Sequence, residues 1–322
     1  MRVMVLGGTG FIGPAVTEQL AGLGHEVTAV SRRGGSGGGA THVAADRGDV
    51  GKIAGLASDR RVEVVIDLLA MARSSTQPLL DALSGVVRRY VLASSGDVYR
   101  QYGALHRLET TPIRERLDED APLRTHLHPY RGAQPRAPGD PEAWLDRYDK
   151  VPIEAAVRMQ AGLEHAVVRL PMVYGPRDRQ RRFSWALRPM TSGEPVLELD
   201  AAWADWRTSY GYVDDVAYGL ALAATHPAAA GRTYNLGPVE ALDHAAWAAR
   251  FAEATGWDGE VRRLPRSAAP ESVRAALDAL DLSVPMVLDS GRIRTELDYA
   301  EPTSPQEAIA RTLADEIKRS RA

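Results

Sequence analysis

The sequence predicts a doubly wound α/β fold, a parallel sheet with helices on both faces, followed by a smaller C-terminal lobe. Three observations predict it. The chain opens on "RVMVLGGTGFIG", a short apolar strand, a glycine turn and the start of a helix. Short β-branched runs then alternate with helical patterns. Two later runs, "VEVVIDLLAMA" at 62–72 and "VVRRYVLASSGDVY" at 86–99, have the apolar character of strands buried on both faces.

The glycine turn carries the first functional implication. Gly7, Gly10 and Gly13 are spaced three apart. The first permits a tight turn, the second lets backbone approach a pyrophosphate, and the third lets the helix "PAVTEQLAGLG" pack close to the strand. A helix N-terminus placed there points free N–H groups at the phosphates. The second strand, "HEVTAVSRR", ends in Ser31, Arg32 and Arg33. Arginine there pairs with a 2′-phosphate where an acidic residue would take ribose hydroxyls, so the expected cofactor is NADP(H), with NAD possible. "GGSGGG" at 34–39 reads as a flexible segment with no packing role.

"THVAADRGD" is the third strand, leaving Asp46 and Arg47 at its carboxyl end, and Ser94 and Ser95 stand at the end of the fifth. Helical patterns at 50–59 and 74–85 separate these strands. The expected division is a dinucleotide-binding Rossmann domain over 1–170, including a long loop at 100–149. Residues 171–322 form mostly a substrate-binding lobe, with 208–236 returning to the sheet.

Composition narrows the function classes. With 44% hydrophobic and 25% charged residues, the chain has ample material for a core. Net charge is −3 and the basic residues gather only locally, in "RDRQRR" at 177–182, which argues mildly against nucleic acid as a partner. There is no cysteine, so disulfides and thiolate chemistry are excluded and a reducing cytoplasm is the expected location. No stretch offers the roughly 18 uninterrupted apolar residues of a membrane span. His126 and His128 have alternate spacing but no supporting carboxylates, so no metal is expected. The expected partner is a small-molecule substrate, with a homodimer possible.

The ordered set of motifs resembles the extended short-chain dehydrogenase/reductase family, which includes nucleotide-sugar epimerases and dehydratases. The resemblance rests on "GGTGFIG" at 7–13, Asp46, "SSGDVY" at 94–99, "DEDAPL" at 118–123, and Lys150 with Glu154. "RLPMVYGPRD" at 169–178, "YGYVDDVAYGLALA" at 210–223, "RTYNLG" at 232–237 and "ELDYAEPTSPQEAIARTL" at 296–313 complete it. It implies that Gly7, Gly10 and Gly13 form the pyrophosphate turn with the amides of Phe11 and Ile12. Asp46 and Arg47 would lie against the adenine and Leu69 and Ala70 near the ribose. Lys150 would hold the nicotinamide ribose, and Pro171 and Val173 would line the other face of the nicotinamide.

Two departures shape the functional expectation. The family sets a catalytic tyrosine four residues before the lysine; Ser95 and Lys150 match their positions, but Asp146 stands where the tyrosine would. The proton must then come from Asp146, from Asp97 (which matches an acidic catalytic position of the dehydratases), or from water or the substrate, with Ser95 orienting the carbonyl. Tyr148 lies two residues before Lys150, on another face if the helix includes both. Pro152 belongs in a first turn, however, so a helix beginning near Val151 leaves Tyr148 free to swing inward. The second departure is Met172, where nucleotide-sugar members carry an asparagine. Arg177, Arg181, Arg182 and Arg207 are either an anion clamp or solvated charges, and Trp185, Trp203 and Trp206 either a wall for a flat ligand or core. The leading expectation is an NADP(H)-dependent reductase of a ketone on a hydrophobic small molecule. The alternatives are an epimerase or dehydratase that reduces its cofactor transiently, and a non-catalytic nucleotide- or RNA-binding relative.

Overall fold

The computed structural model describes residues 1–320 apart from 133, 138 and 270. In the first half, β1 (Arg2–Leu6), α1 (Gly13–Gly22), β2 (Glu26–Ser31), β3 (Thr41–Ala44), α2 (Val50–Asp59), β4 (Val64–Asp67), α3 (Arg73–Leu83) and β5 (Arg89–Ser95) alternate as the sequence pattern requires. After a short α4 (Arg100–Leu105), α5 (Lys150–Met159) leads into β6 (Glu164–Leu170). The lobe contains β7 (Met172–Tyr174), α6 (Ser184–Thr191), β8 (Val196–Asp200) and α7 (Ala201–Ala204). β9 (Tyr210–Tyr212), α8 (Val213–Thr225) and β10 (Arg232–Asn235) follow. α9 (His244–Thr255), β11 (Glu260–Leu264), α10 (Glu271–Asp278), α11 (Gly291–Leu297) and α12 (Pro305–Ser320) complete the chain. Among the described residues, no helix is long and apolar enough to cross a membrane.

Seven strands form one parallel sheet in the order β10-β6-β5-β4-β1-β2-β3. The winding reverses between β1 and β4, and the crevice outside their carboxyl ends is where such sheets bind ligands. Alternate residues of the strands feed two cores. Val3, Val5, Ile66 and Val91 face α1 and α8, and that core runs on into the lobe through Tyr174, Phe183 and Phe251. Met4, Leu6, Val65 and Leu92 face the other way, onto α2, α3 and α5. β7 pairs with β9 and β8 with β11, two small parallel ribbons that build the lobe.

The glycine-rich segment 34–39 does pack, contrary to its sequence reading. A Cβ at Gly35 would lie 2.7 Å from Thr9 Cγ2, at Gly38 2.8 Å from Thr17 Oγ1, and at Gly39 2.9 Å from the Ala21 side chain. The loop lies against the glycine turn and α1 closer than any side chain allows.

The tail is tied to the sheet by Asp215, in the first turn of α8, whose Oδ1 accepts from Thr303 N at 3.0 Å. Burial, with Glu301 and Asp214 nearby, raises its carboxyl to about 6. The folded chain therefore holds this proton more tightly than the unfolded one, and the associated stability is lost as pH rises from about 4 through 6. Asp215→Asn keeps the acceptor and removes the charge. Its melting temperature is expected to match the parent near pH 4 and exceed it by a few degrees at pH 7; an offset that does not change with pH would refute this account.

Candidate functional site

The turn 7–13 has the geometry of an anion site. Gly7 has φ +94°, and a Cβ on it would meet Leu69 Cγ at 3.0 Å. A Cβ at Gly13 would lie 2.1 Å from Gly7 O, so helix and strand meet only because Gly13 has no side chain. Gly10 is exposed, with only Gly7 O near its Cβ position, leaving its outer face open. Phe11 and Ile12 close the turn half-buried; Ile12 caps α1 without a side-chain hydrogen bond, and the first turn holds no acidic residue. Free N–H groups and an uncompensated helix dipole fit a dinucleotide pyrophosphate there.

The neighbouring positions divide. Arg32 and Arg33 are exposed at the end of β2, with no ion-pair partner among the described residues, while the Ser31 hydroxyl donates to Gly34 O. Asp46 is exposed and accepts from Gly48 N. Leu69 is 41% exposed over the glycine turn and Ala70 is buried. Pro171 is half-buried and Val173 buried, at the start of the lobe. Arg47 has a structural role: its guanidinium is buried on Asp67 at 2.6 Å and donates to Ser75 O and Thr76 Oγ1, so it braces β4 against α3.

The catalytic candidates sit at the carboxyl ends of β4 and β5. Lys150 is buried at the first position of α5, and its Nζ donates to Ala70 O at 2.6 Å and Ala93 O at 2.8 Å. Burial pulls its ammonium down to about 8, against the attraction of Asp67 and Asp97. The Ser95 hydroxyl accepts from Asp97 N at 3.2 Å. Asp97 is buried, and its Oδ2 accepts from the Tyr148 phenol at 2.8 Å and the Tyr130 phenol at 3.0 Å, while Oδ1 has no partner. Burial raises the Asp97 carboxyl, opposed by Arg124, the two phenols and Lys150. Burial and the Asp97 charge together push the Tyr148 phenol well above its ordinary range, with Ser95 opposing.

Asp146 corrects the sequence expectation. Its carboxylate accepts from Arg136 N at 2.7 Å and Arg136 Nη1 at 2.5 Å, and those bonds hold it below the usual carboxylate range. It lies in a 3₁₀ turn at Ala143–Arg147 and faces the loop. Tyr148 takes the place near Ser95 because α5 starts only at Lys150. Asp149 is the N-cap, Tyr148 is extended (φ −64°, ψ 128°), and Pro152 falls in the first turn. Helix-face geometry, which would have turned Tyr148 away from Lys150, does not govern a residue outside the helix.

The long loop contributes what the sequence did not announce. Arg124 is buried; it donates to Asp97 O and His126 O and pairs with Asp149 Oδ1 at 3.0 Å. Asp149 Oδ2 accepts from His128 N at 2.7 Å. Tyr130 follows from the same loop onto Asp97, and its phenol accepts from Tyr102 at 3.1 Å. Two other groups of residues are taken up structurally. Arg181 pairs with Glu316, Arg207 with Glu115, and Arg182 donates to Val173 O. Trp203 stacks on His244 at 3.9 Å with Trp185 edge-on, and Trp206 donates to Val284 O. Among the described residues, no cluster of three or more potential metal ligands occurs.

Below the site, Glu154 accepts from Ser94 Oγ at 2.6 Å and from Arg169 at 2.8 and 3.0 Å, and Arg169 reaches Tyr99 and Glu119 O. This buried network fixes the ends of β5 and β6. Arg124→Met is expected to destabilise the protein by about 3–5 kcal/mol, because it leaves the Asp149 carboxylate buried without its partner. Denaturant unfolding measures the loss, and a cost under about 1 kcal/mol would place the pair among weak surface bridges instead.

Comparison with known proteins agrees with this architecture. The chain resembles the mouse and human proteins named Epimerase family protein SDR39U1, at 68% and 65% identity over 37 residues. That match is 12% of this chain and only 13% of the relatives' length. Among solved structures, UDP-glucose 4-epimerase of Thermotoga maritima with UDP-glucose aligns over 99% of this chain and 100% of its own, at 21% identity and TM-score 0.69. MoeE5 with UDP-glucose and NAD covers 100% of both chains at 22% and 0.69. UDP-glucose 4-epimerase of Thermus thermophilus with NAD covers 98% of both at 23% and 0.66. At such identities the likeness is one of fold. The family model described as NAD dependent epimerase/dehydratase family matches residues 3–133 and 152–237, passing over the stretch with Asp146, Tyr148 and Lys150. With well over half of its length matched, the chain belongs to the NAD dependent epimerase/dehydratase family.

Proposed function

We propose that this chain is an NADP(H)-dependent reductase of a ketone on a hydrophobic small molecule, with Tyr148 as its proton donor. The observation that carries the reading is the Tyr148 phenol, held protonated on the Asp97 carboxylate at 2.8 Å and faced by the Ser95 hydroxyl. A phenol so placed is an acid in waiting, suited to protonating an oxygen that gains electrons. The bound nicotinamide dinucleotide would supply the hydride. Ser95 binds and orients the carbonyl oxygen, Tyr148 protonates it, and Asp97 keeps the phenol aimed. Lys150, fixed by Ala70 O and Ala93 O, would hold the ribose beside them. The exposed Arg32 and Arg33 support a 2′-phosphate, and thus NADP(H) over NAD(H).

The substrate class rests on the surroundings of that phenol. Tyr130 lies 5.2 Å from the Tyr148 ring, Tyr102 lies 6.2 Å from Tyr130, and Trp144, 45% exposed, lies 5.9 Å from Tyr148. This aromatic wall favours a flat, apolar molecule over a sugar. Met172, packed between two apolar clusters, offers no amide to a diphosphate. One observation favours a second reading: Asp97 Oδ1 has no partner, as a base awaiting a proton would, and an epimerase or dehydratase with transient cofactor reduction would use it.

Incubation with NADPH or NADH and a panel of aryl ketones, following nicotinamide absorbance, separates the two. Net consumption, faster with NADPH, is the expected result; retained cofactor with an isomerised or dehydrated product and no consumption would favour the second reading. Tyr148→Phe is expected to lower kcat by about 10²–10⁴ while Asp146→Asn leaves it near the parent value. The reverse ranking would return the proton to Asp146. Replacing Arg32 and Arg33 by serine should erase the NADPH preference and leave NADH binding intact.

A further inference from the structure

We propose that Tyr130 and Tyr102 form a proton path from Asp97 to the protein surface, so that the long loop resupplies the proton Tyr148 spends. The inference rests on the reading of Tyr148 as proton donor and extends it to residues outside the immediate site.

The geometry is a continuous chain of oxygens. Tyr148 Oη and Tyr130 Oη both donate to the same atom, Asp97 Oδ2, at 2.8 and 3.0 Å, and Tyr102 Oη donates to Tyr130 Oη at 3.1 Å. The inner links are buried: Tyr148 and Asp97 lie inside the protein, and the rings of Tyr130 and Trp144 stand 5.2 and 5.9 Å from that of Tyr148. The outer end is not. Tyr102 is half-buried on α4, its ring 4.4 Å from that of His106, itself half-buried at the end of that helix. Charged groups leave the path clear: Arg124 is spent on Asp97 O, His126 O and Asp149, and Lys150 on two carbonyls. Asp97 Oδ1 is buried without a hydrogen-bond partner, and both phenols converge on Oδ2.

The transfer balances. Tyr148 gives its proton to the substrate oxygen and becomes a phenolate. Asp97 Oδ2 takes the Tyr130 proton and passes it to Tyr148, ending as the carboxylate it began as. Tyr130 is restored by Tyr102, and Tyr102 by a solvent proton beside His106. Each oxygen loses one proton and gains one, and the sum is one proton moved from solvent to product. Two phenols and a carboxylate at hydrogen-bond distance polarise one another, which favours such concerted movement.

The test needs no substrate. In full-length protein labelled with ¹³C at tyrosine Cζ, hydroxyl hydrogen–deuterium exchange is read for each phenol by its isotope shift. Tyr102→Phe retains the ring against His106 and cuts only the outer link, and Tyr130→Phe cuts the inner one. Both are expected to slow exchange at Tyr148 by about tenfold or more, since each removes a hydroxyl from the hydrogen-bonded route that ends at Tyr102. If Tyr148 exchanges at the parent rate in both variants, with thermal midpoints unchanged, the path does not exist and the two phenols are structural. Should exchange slow while Tyr148→Phe leaves turnover untouched, the path stands and the assignment of Tyr148 as donor fails. The two ideas therefore fail separately.

Discussion

The buried pair of Arg124 and Asp149 is the joint on which this site depends. Each is 1–3% exposed, and between them they tie three separate parts of the chain. Arg124 grips the carbonyl of Asp97 after β5, Asp149 caps α5, and both hold the backbone of the long loop at His126 and His128. Desolvating two charges is costly, and a lone pair of ions would rarely recover it. Here both carboxylate oxygens and most of the guanidinium N–H groups find partners, so the cost is offset by hydrogen bonds that also fix geometry. With Asp149 as cap, helix cannot extend backward, and the preceding residue is forced into extended backbone. That is what aims Tyr148 at Asp97 and Lys150 into the sheet from nearby positions.

The same joint explains which features could be read from the sequence. The glycine turn, the parallel strands and the placement of Ser95, Asp97 and Lys150 depend on short-range patterns: apolar runs, glycine spacing and strand ends. Such patterns are local, and they were legible. Asp146 is a candidate only through the resemblance, which sets the family's tyrosine four residues before the lysine, and here that count crosses a helix cap. Asp149 is a good N-cap type and Pro152 a good first-turn residue, so the signal for a later helix start, and with it an inward Tyr148, is present in the sequence. Tyr130, Tyr102 and Arg124 gave no signal, because their partners lie far along the chain and an irregular loop has no periodicity to betray its inward side chains. Arg47 shows the converse. Its position relative to β3 suggested a ligand, but Asp67 at the end of β4 claims its charge.

The fold also shows why glycine could be misread as slack. Segment 34–39 looks like a linker by composition. In space Gly35, Gly38 and Gly39 lie against Thr9 and α1 at distances only hydrogen atoms can occupy, so these three are there for close approach. The consequence is functional in location: the loop that follows Arg32 and Arg33 is fastened to the same turn that would hold the pyrophosphate. The two loops that would meet a cofactor thereby support one another.

Burial pushes every titratable group at the centre toward its neutral form: Asp97 and Tyr148 upward, Lys150 downward to about 8. What differs from an arrangement with tyrosine inside the helix is the neighbour that decides the phenol's character. When a lysine ammonium dominates, it favours phenolate and makes the tyrosine a ready base. Here the ammonium is committed to two carbonyls and stands 5.8 Å from the ring centre, while a carboxylate touches the hydroxyl directly. The nearer and opposite influence wins, and the phenol is held as an acid. Burial and the Asp97 charge therefore stabilise the protonated phenol over the phenolate. The protonation state of the phenol thus follows from where a helix begins, because that start determines which charge meets the hydroxyl.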